Sequence, residues 1–354
     1  MIRRALAAAA GVAVPIASYG MLVRRGVDRL LAGPRHAPGE AALGPALDAL
    51  GGEVVSIRAR DGLRLSGRWL PAEPDPDWSG DPREAILLLH GWSGSVAPDV
   101  VEYGPFLRRT AGVLGLDFRG HGGSDDGPTT FGLREVDDVG GALDWLGERG
   151  IRRVVLVGTS MGGVVALASV VVLGDGSLQG VDADPAAPIS PRPAPRPAIS
   201  AVVVESVPAE LTSIAANRLD GRLPGPVRRA VARRIFAAAS ARLGGDPRWT
   251  EPIRVIGLVP PVPILLISGQ ADATVPLEDG RRLAAAAGPG AEHWVVAGAE
   301  HSRAHAAAGA AWETRVTAFL RRALLAARAD RDAAGILAAS RPASFDGGES
   351  DNGG

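Results

Sequence analysis

At 354 residues, of which 46% are hydrophobic, the chain is long enough to bury a large core, although only 4% of its residues are aromatic. Its net charge of −1 gives no indication of the excess of basic residues that is typical of nucleic-acid-binding proteins, so no nucleic-acid partner is expected. The absence of cysteine excludes disulfides, thiolate nucleophiles and Cys-ligated zinc. All 38 basic residues are Arg, as expected from GC-rich codon usage, so a single Arg cluster is weak evidence of function.

The first predicted element is a membrane segment. An uncharged apolar run over residues 5–23, with Arg pairs on both sides, is just long enough to cross a bilayer. We predict that residues 1–25 form a single-pass membrane anchor, because the run lacks a clear Ala-x-Ala cleavage site. A signal peptide of a secreted protein and a buried helix are the alternatives, and Arg on both sides leaves the orientation open. Residues 26–50 are predicted to be a linker or short helix.

The main domain, residues 51–326, is predicted to begin with a β-hairpin. Residues 53–58 and 63–70 alternate apolar and polar side chains around Asp61-Gly62, a turn dipeptide. Short, continuous apolar runs then predict strands buried on both faces of a parallel sheet, at 85–89, 113–117, 154–157, 199–204 and 264–267. Stretches with helical spacing lie between them, as at 133–147, so the series predicts an α/β fold with helices on both faces of the sheet.

Three segments differ from this pattern. Residues 182–198 are rich in Pro, Ala and Arg and predict a disordered insert. Residues 207–258 contain an amphipathic stretch between two strands, which predicts a small helical cap over the carboxyl edge of the sheet. Residues 327–354 end in a Gly-rich sequence and predict a disordered tail.

The strongest motif is Gly158-Thr-Ser-Met-Gly162, which directly follows one predicted strand and directly precedes a predicted helix. Glycines at these positions allow a sharp turn that projects the Ser160 hydroxyl above the sheet. The start of the following helix favours negative charge at this point. Ser160 is therefore the candidate nucleophile.

A serine hydroxyl needs a base and an orienting carboxylate. His301 follows a strand-like segment at 292–296, at the sheet edge where catalytic groups gather, and is the predicted base, with His305 as the alternative. Asp272 follows the run at 264–267 and gives the chain order Ser, Asp, His, so it is the predicted acid. Glu205, at the end of its own strand, is the alternative acid.

An oxyanion hole requires two backbone N–H donors. Met161, directly after the nucleophile, is one candidate, and Trp92, in the loop after the strand at 85–89, is the other. The Trp92 ring is also expected to line the substrate pocket. His90 in the same loop is expected to shape the loop rather than to take part in the chemistry.

The motifs occur in the order found in the α/β-hydrolase superfamily, and the chain resembles the bacterial esterase-, lipase- and acylaminopeptidase-like members with a short cap. The resemblance covers about residues 53–325 and rests on His90-Gly91, Asp117–Ser124, Gly158–Gly162, Gly269–Asp272 with Val275-Pro276, and Gly298–His301. It implies an eight-stranded, mostly parallel sheet, the triad Ser160–Asp272–His301 and an oxyanion hole from Trp92 and Met161. It also implies that Arg119 and His121 are scaffold residues.

The predicted function is that of a serine hydrolase, which cleaves a carboxylic ester or related acyl bond of a small molecule through an acyl-enzyme on Ser160. This chemistry requires no metal or organic cofactor. An acyltransferase or peptidase with the same triad is one alternative, since the acceptor depends on pocket shape. A catalytically silent, membrane-associated binding protein is the other. The motifs do not encode the acyl chain length or the leaving group.

Overall fold

The computed structural model describes residues 19–33, 35–36, 40–92, 94–174, 196–219 and 223–339. Eight strands form one sheet in the order β1-β2-β4-β3-β5-β6-β7-β8. The strands are β1 (Glu53–Arg58), β2 (Arg64–Leu70), β3 (Glu84–Leu89), β4 (Gly112–Leu116), β5 (Arg153–Thr159), β6 (Ala198–Glu205), β7 (Ile264–Gly269) and β8 (Ala291–Val296). Strand β2 pairs antiparallel with β1 and β4, and all other pairs are parallel, which confirms the predicted mostly parallel sheet.

The helices alternate with the strands along the chain. They are α1 (residues 19–31), α2 (Gly44–Leu50), α3 (Ala97–Leu107), α4 (Glu135–Glu148), α5 (Met161–Leu173), α6 (Leu211–Asn217), α7 (Gly225–Leu243), α8 (Pro252–Val255), α9 (Leu277–Ala287), α10 (Ala304–Ala308) and α11 (Ala310–Ala339). Short 3₁₀ turns precede α2 and flank α8.

Both faces of the sheet are buried, which explains the continuous apolar runs. In β3, Leu87 packs in a core cluster with residues of α4, α5 and α9, whereas its neighbours Ile86 and Leu88 pack in a second cluster with residues of α3 and α11. Successive side chains of a strand point to opposite faces, so a strand covered on both sides must be apolar at every position. Helices on both faces of the sheet are thus confirmed.

The hairpin forms around the turn that the sequence predicts. Arg58 pairs with Arg64 at its closed end, and Gly62 has φ 97°, a conformation that favours glycine. The second strand begins at Arg64, one residue later than predicted.

The predicted membrane anchor is contradicted by the structure. Residues 5–18 of the apolar run lie outside the described residues. Residues 19–23 begin α1, which continues through the charged pair Arg24-Arg25 and packs against the main domain. Within the described ranges, no helix is long and apolar enough to cross a membrane. The predicted membrane anchor, and the membrane localisation and membrane partner inferred from it, are therefore wrong.

Helix α1 packs on α7 through matched ridges. Val23, Val27 and Leu31 are spaced four residues apart, and they form one apolar cluster with Val231, Ile235 and Ala239 of α7, which have the same spacing. A Cβ at Gly26 would lie 2.5 Å from a methyl of Ile235, so the glycine permits this close contact. The segment 26–50, predicted to be a linker or short helix, therefore contains helices at both ends.

Helices α6 and α7 form the cap predicted within 207–258. They follow β6 in the chain and line the cavity that opens at Ser160. Most of the predicted insert at 182–198 lies outside the described residues, apart from residues 196–198. The tail predicted at 327–354 is wrong at its start, because α11 extends to Ala339, and residues 340–354 lie outside the described residues.

Candidate active site

Ser160 occupies a strained turn between β5 and α5. Its backbone angles are φ 50° and ψ −113°, which non-glycine residues rarely adopt. The Ser160 N–H donates to the Glu205 carbonyl at 2.8 Å, and the Gly163 and Val164 N–H groups donate to the Ser160 carbonyl, both at 3.1 Å. Strand β6 and the first turn of α5 thus hold the strained backbone in place.

The glycines of the motif are required by crowding. A Cβ at Gly162 would lie 1.9 Å from the Leu89 carbonyl oxygen, and a Cβ at Gly158 would lie 2.5 Å from the backbone of Gly162. Neither contact can be relieved by rotating a side chain, since the atoms met belong to the backbone. The spacing of glycines around Ser160 is therefore set by the close approach of β3, β5 and α5.

The structure brings Ser160, His301 and Asp272 together. The His301 Nε2 atom lies 3.1 Å from the Ser160 Oγ, and the His301 Nδ1 atom lies 2.9 Å from the Asp272 Oδ2. The three residues follow β5, β8 and β7, so they meet at the carboxyl edge of the sheet. Both distances are within hydrogen-bond range, and the order of contacts is that of a nucleophile, a base and an orienting acid.

The Asp272 carboxylate is held in its ionised form. Burial alone would raise its pKa, but the hydrogen bonds from His301 and from the Val275 N–H outweigh burial and lower the pKa below its usual value. Its Oδ1 also accepts the Thr274 N–H at 2.9 Å. An ionised Asp272 favours the proton on His301 Nδ1, which leaves Nε2 free to accept the proton of Ser160.

The alternative acid, Glu205, is bonded to residues that follow His301 in the chain. Its side chain accepts the Ala304 N–H at 2.9 Å and the Trp312 Nε1–H at 3.3 Å. Burial raises its pKa to about 7, and the negative charge of Glu102 adds to this effect. In the described part of the chain neither oxygen bonds to His301, so Glu205 is not placed to orient the imidazole.

The alternative base, His305, has both ring nitrogens bonded to carboxylates rather than to the nucleophile. Its ring nitrogens bond to Glu102 at 2.9 Å and to Glu313 at 3.1 Å. Burial opposes its charged form, but these two carboxylates outweigh burial and raise the pKa of His305. Its ring also packs against Trp312, so the structure places His305 in an ion-pair network.

The loop of residues 90–92 passes close to the nucleophile. A Cβ at Gly91 would lie 3.7 Å from the Ser160 Cβ. His90 is bonded through Nδ1 to the Gly91 carbonyl at 2.6 Å, and its Nε2 accepts the Phe118 N–H at 3.1 Å. Burial, with the charge of His121, lowers the pKa of His90 to about 3, so it is neutral at physiological pH. His90 therefore shapes the loop.

Met161 directly follows Ser160 in the chain, and Trp92 and Met161 line the same cavity as Ser160. Met161 is the first residue of α5, where an N–H has no acceptor within the helix. Trp92 N–H donates to no backbone carbonyl in the described ranges. Two donors without backbone partners are what an oxyanion hole requires.

The segment that follows β4 is bonded to the Trp92 loop through His121. His121 bonds to the Trp92 carbonyl at 2.8 Å and to the Arg119 carbonyl at 2.9 Å. The buried Arg119 side chain forms ion pairs with Asp138 at 2.6 Å and Asp61 at 2.7 Å. Arg119 and His121 thus hold backbone positions and do not reach Ser160.

A cavity of about 580 Å³ opens at Ser160, a volume typical of small-molecule sites. Trp92, Phe131, Met161 and the cap helices α6 and α7 form one part of its wall, which is largely apolar. Helix α1 forms a further part of the wall, which the sequence analysis did not predict. The ridge of apolar residues at four-residue spacing in α1 was the available signal, but the adjacent uncharged run obscured it.

Among the described residues, no cluster of three or more His, Asp or Glu side chains is arranged to hold a metal ion. The candidate site comprises the triad, the two N–H groups and the cavity.

Comparison with known sequences decides the family. The sequence model of the Alpha/beta hydrolase family matches residues 86–313, well over half of the chain. The chain belongs to the alpha/beta hydrolase family. This membership confirms the resemblance to the α/β-hydrolase superfamily and supports a hydrolase activity in general.

The chain is also similar to curated bacterial proteins. The alpha/beta hydrolase is 27% identical over 249 residues to the Uncharacterized protein YfhR of Escherichia coli O157:H7, covering 70% of this chain and 71% of the relative. It is 27% identical over 241 residues to YfhR of Salmonella typhimurium, covering 66% of this chain and 69% of the relative.

Solved structures share its fold at lower identity. The Pyrococcus furiosus esterase Pf2001 has a TM-score of 0.57 at 22% identity, over 82% of this chain and 98% of the other. Proline iminopeptidase of Mycobacterium smegmatis has a TM-score of 0.53 at 19% identity, over 78% of this chain and 100% of the other. These likenesses establish the fold of the alpha/beta hydrolase.

Proposed function

We propose that this hydrolase is a serine hydrolase that cleaves a carboxylic ester or a related acyl bond of a small molecule. The observation that carries the proposal is the chain of hydrogen bonds from Ser160 Oγ to His301 Nε2 and from His301 Nδ1 to Asp272, beside an apolar cavity. A serine hydroxyl is activated by a histidine in this geometry, and the carboxylate orients the histidine.

In the proposed reaction, His301 removes the Ser160 proton as Oγ attacks the substrate carbonyl. The resulting oxyanion accepts hydrogen bonds from the Trp92 and Met161 N–H groups. His301 then gives its proton to the leaving group, and the acyl group remains on Ser160. Water, deprotonated by the same imidazole, attacks the acyl-enzyme and releases the acid, which restores the free serine.

The test combines labelling with turnover. A fluorophosphonate probe is expected to modify Ser160 in the folded protein, and a 4-nitrophenyl ester is expected to be hydrolysed. Ser160→Ala should abolish both. Ser213→Ala is the matched control, because this serine of α6 donates to the Glu210 carbonyl and lies outside the hydrogen-bond chain.

Failure of folded protein to react with the probe, with no ester turnover that depends on Ser160, would overturn the proposal in favour of a silent binding protein. Solved structures of this fold include an esterase and a proline iminopeptidase, so an aminoacyl 4-nitroanilide is assayed beside the ester. Turnover of the amide alone would change the assigned substrate class to a peptidase while leaving the serine mechanism in place.

A further inference from the structure

The cavity at Ser160 has an uneven charge distribution. Its described lining is apolar apart from Ser160 itself and three arginines, and it contains no carboxylate. Arg25 and Arg29 come from α1, and Arg218 directly follows α6, so two separate elements contribute positive charge to the lining of the cavity.

None of these three arginines forms an ion pair with a described carboxylate. The one acidic residue of α1 in its described range, Asp28, instead pairs with Arg242 of α7. Arg25 and Arg29 are four residues apart on one helical face, a spacing at which like charges repel. Three guanidinium groups therefore share a region without a negative partner in the described structure.

Arg218 is held in place within this group. Its guanidinium lies 5.0 Å from the centre of the Trp92 ring, within cation–π range. Burial lowers the pKa of Arg218, and the positive charge of Arg29 lowers it further. The charge of Arg218 is thus close to a second positive charge, which an anion would compensate.

The abundance of arginine in this chain does not account for the arrangement. Other exposed arginines of the described chain, such as Arg229 and Arg233 of α7, do not line the cavity. At the cavity, by contrast, arginines from distant parts of the sequence line the same space as the candidate nucleophile. Their placement, rather than their number, is the evidence.

We propose that the cavity binds an ester that carries a negatively charged group, such as a carboxylate or a phosphate, joined to the scissile carbonyl through an apolar segment. The proposal deepens the proposed function and rests on it. The planar fork of a guanidinium suits both kinds of anion, and the apolar wall accommodates the intervening segment. Arg25, Arg29 and Arg218 are then specificity-determining residues of the same site.

Two pairs of chromogenic esters test the proposal. Mono-4-nitrophenyl adipate and 4-nitrophenyl hexanoate have equal acyl chain length but differ in a terminal carboxylate. 3-Butyryloxy-4-nitrobenzoate and 2-nitrophenyl butyrate differ in a carboxylate on the leaving group. The first pair places the anion on the acyl side and the second on the leaving-group side, so the preferred pair shows which part of the substrate contacts the arginines.

For at least one pair, kcat/KM of the wild type is expected to be about tenfold or more higher for the anionic ester. Arg218→Gln, alone and combined with Arg25→Gln and Arg29→Gln, should reduce the ratio of anionic to neutral kcat/KM toward one. Added salt should reduce the same ratio, because the arginines are partly exposed. Arg218→Lys keeps the charge, so a preference retained by Lys but lost with Gln ties the effect to charge.

The matched control is Arg24→Gln. Arg24 is exposed on the same helix, and it does not line the cavity. The variant makes the same change in net charge, so it separates a local contact from the overall field of the protein. Circular dichroism establishes that each variant is folded, and the salt titration of the wild type remains informative if Arg218→Gln does not fold.

The possible results separate the two proposals. If Ser160 reacts with the fluorophosphonate probe and neutral esters are hydrolysed, but neither anionic ester is preferred, the anionic substrate class is wrong and the serine mechanism stands. A preference that Arg24→Gln reduces as much as Arg218→Gln does would also overturn the assignment of these arginines. If no ester is hydrolysed and Ser160 does not react with the probe, the proposed function itself fails.

Discussion

The buried Glu205 makes the stability of the fold depend on pH in a direction that can be measured. Burial raises its pKa from 4.5 to about 7, and the hydrogen bonds from Ala304 and Trp312 only partly oppose this rise. Between these two pH values the folded protein holds a proton that the unfolded chain has released. The free energy of unfolding therefore falls as the pH rises through this window, by about 3 kcal/mol in total.

Replacing Glu205 with Gln keeps the shape of the side chain and removes its charge. The stability of the variant relative to the wild type is expected to increase between pH 5 and pH 8 by up to about 3 kcal/mol, because the wild type alone loses stability from this group. Above about pH 7 the difference should reach a plateau, since the carboxyl is then ionised in both states of the wild type.

The assay is urea unfolding of both proteins at a series of pH values, followed by circular dichroism. Glu278→Gln is the control, because this carboxylate is exposed at the start of α9 and reports the effect of losing a surface charge. A difference between Glu205→Gln and the wild type that is constant from pH 5 to pH 8 would refute the reasoning. An increase in the stability of the wild type relative to Glu205→Gln as the pH rises would also refute it.

Three further predictions concern the triad, the turn and the first helix. Asp272→Asn should lower kcat for ester hydrolysis by about 10⁴-fold through the wrong tautomer of His301, and steady-state kinetics that show less than a tenfold loss would contradict this role. Gly162→Ala places a Cβ 1.9 Å from the Leu89 carbonyl oxygen, so thermal unfolding should show a large loss of stability or no folded protein. A Tm close to that of the wild type would contradict the assigned crowding. Leu31→Ala should lower the free energy of unfolding in urea by about 2–5 kcal/mol, because this residue is buried against α7. A change below about 0.5 kcal/mol would show that α1 is not packed as described.

Much of the fold could be predicted because its signals are local. A strand buried on both faces must be apolar at every position, as β3 is, and an Asp-Gly dipeptide between alternating runs predicts a hairpin. The nucleophile turn could be predicted for a similar reason, since the close approach of backbones requires Gly158 and Gly162 at fixed distances from Ser160. The positions of Asp272 and His301 followed from the strands that precede them.

The role of α1 could not be predicted, because it depends on a contact between distant parts of the sequence. Val27 and its neighbours at four-residue spacing become a packing ridge only when the matching ridge around Ile235 is known. The apolar run before α1 favoured a membrane segment instead. The grouping of Arg29 with Arg218 was missed for the same reason, since their proximity depends on how α1 and the cap pack together.

The packing of α1 has a practical consequence for producing the protein. The Trp92 indole N–H donates to the Leu30 carbonyl at 3.1 Å, and the Thr129 N–H donates to the Leu31 carbonyl at 2.9 Å, so the helix is joined to the loops around the cavity. An expression clone that starts at residue 40, trimmed as if the preceding residues were a dispensable leader, would retain every strand of the sheet. It would nevertheless lack the part of the cavity wall that α1 forms. A substrate screen with the truncated protein would therefore report a selectivity that differs from that of the intact chain.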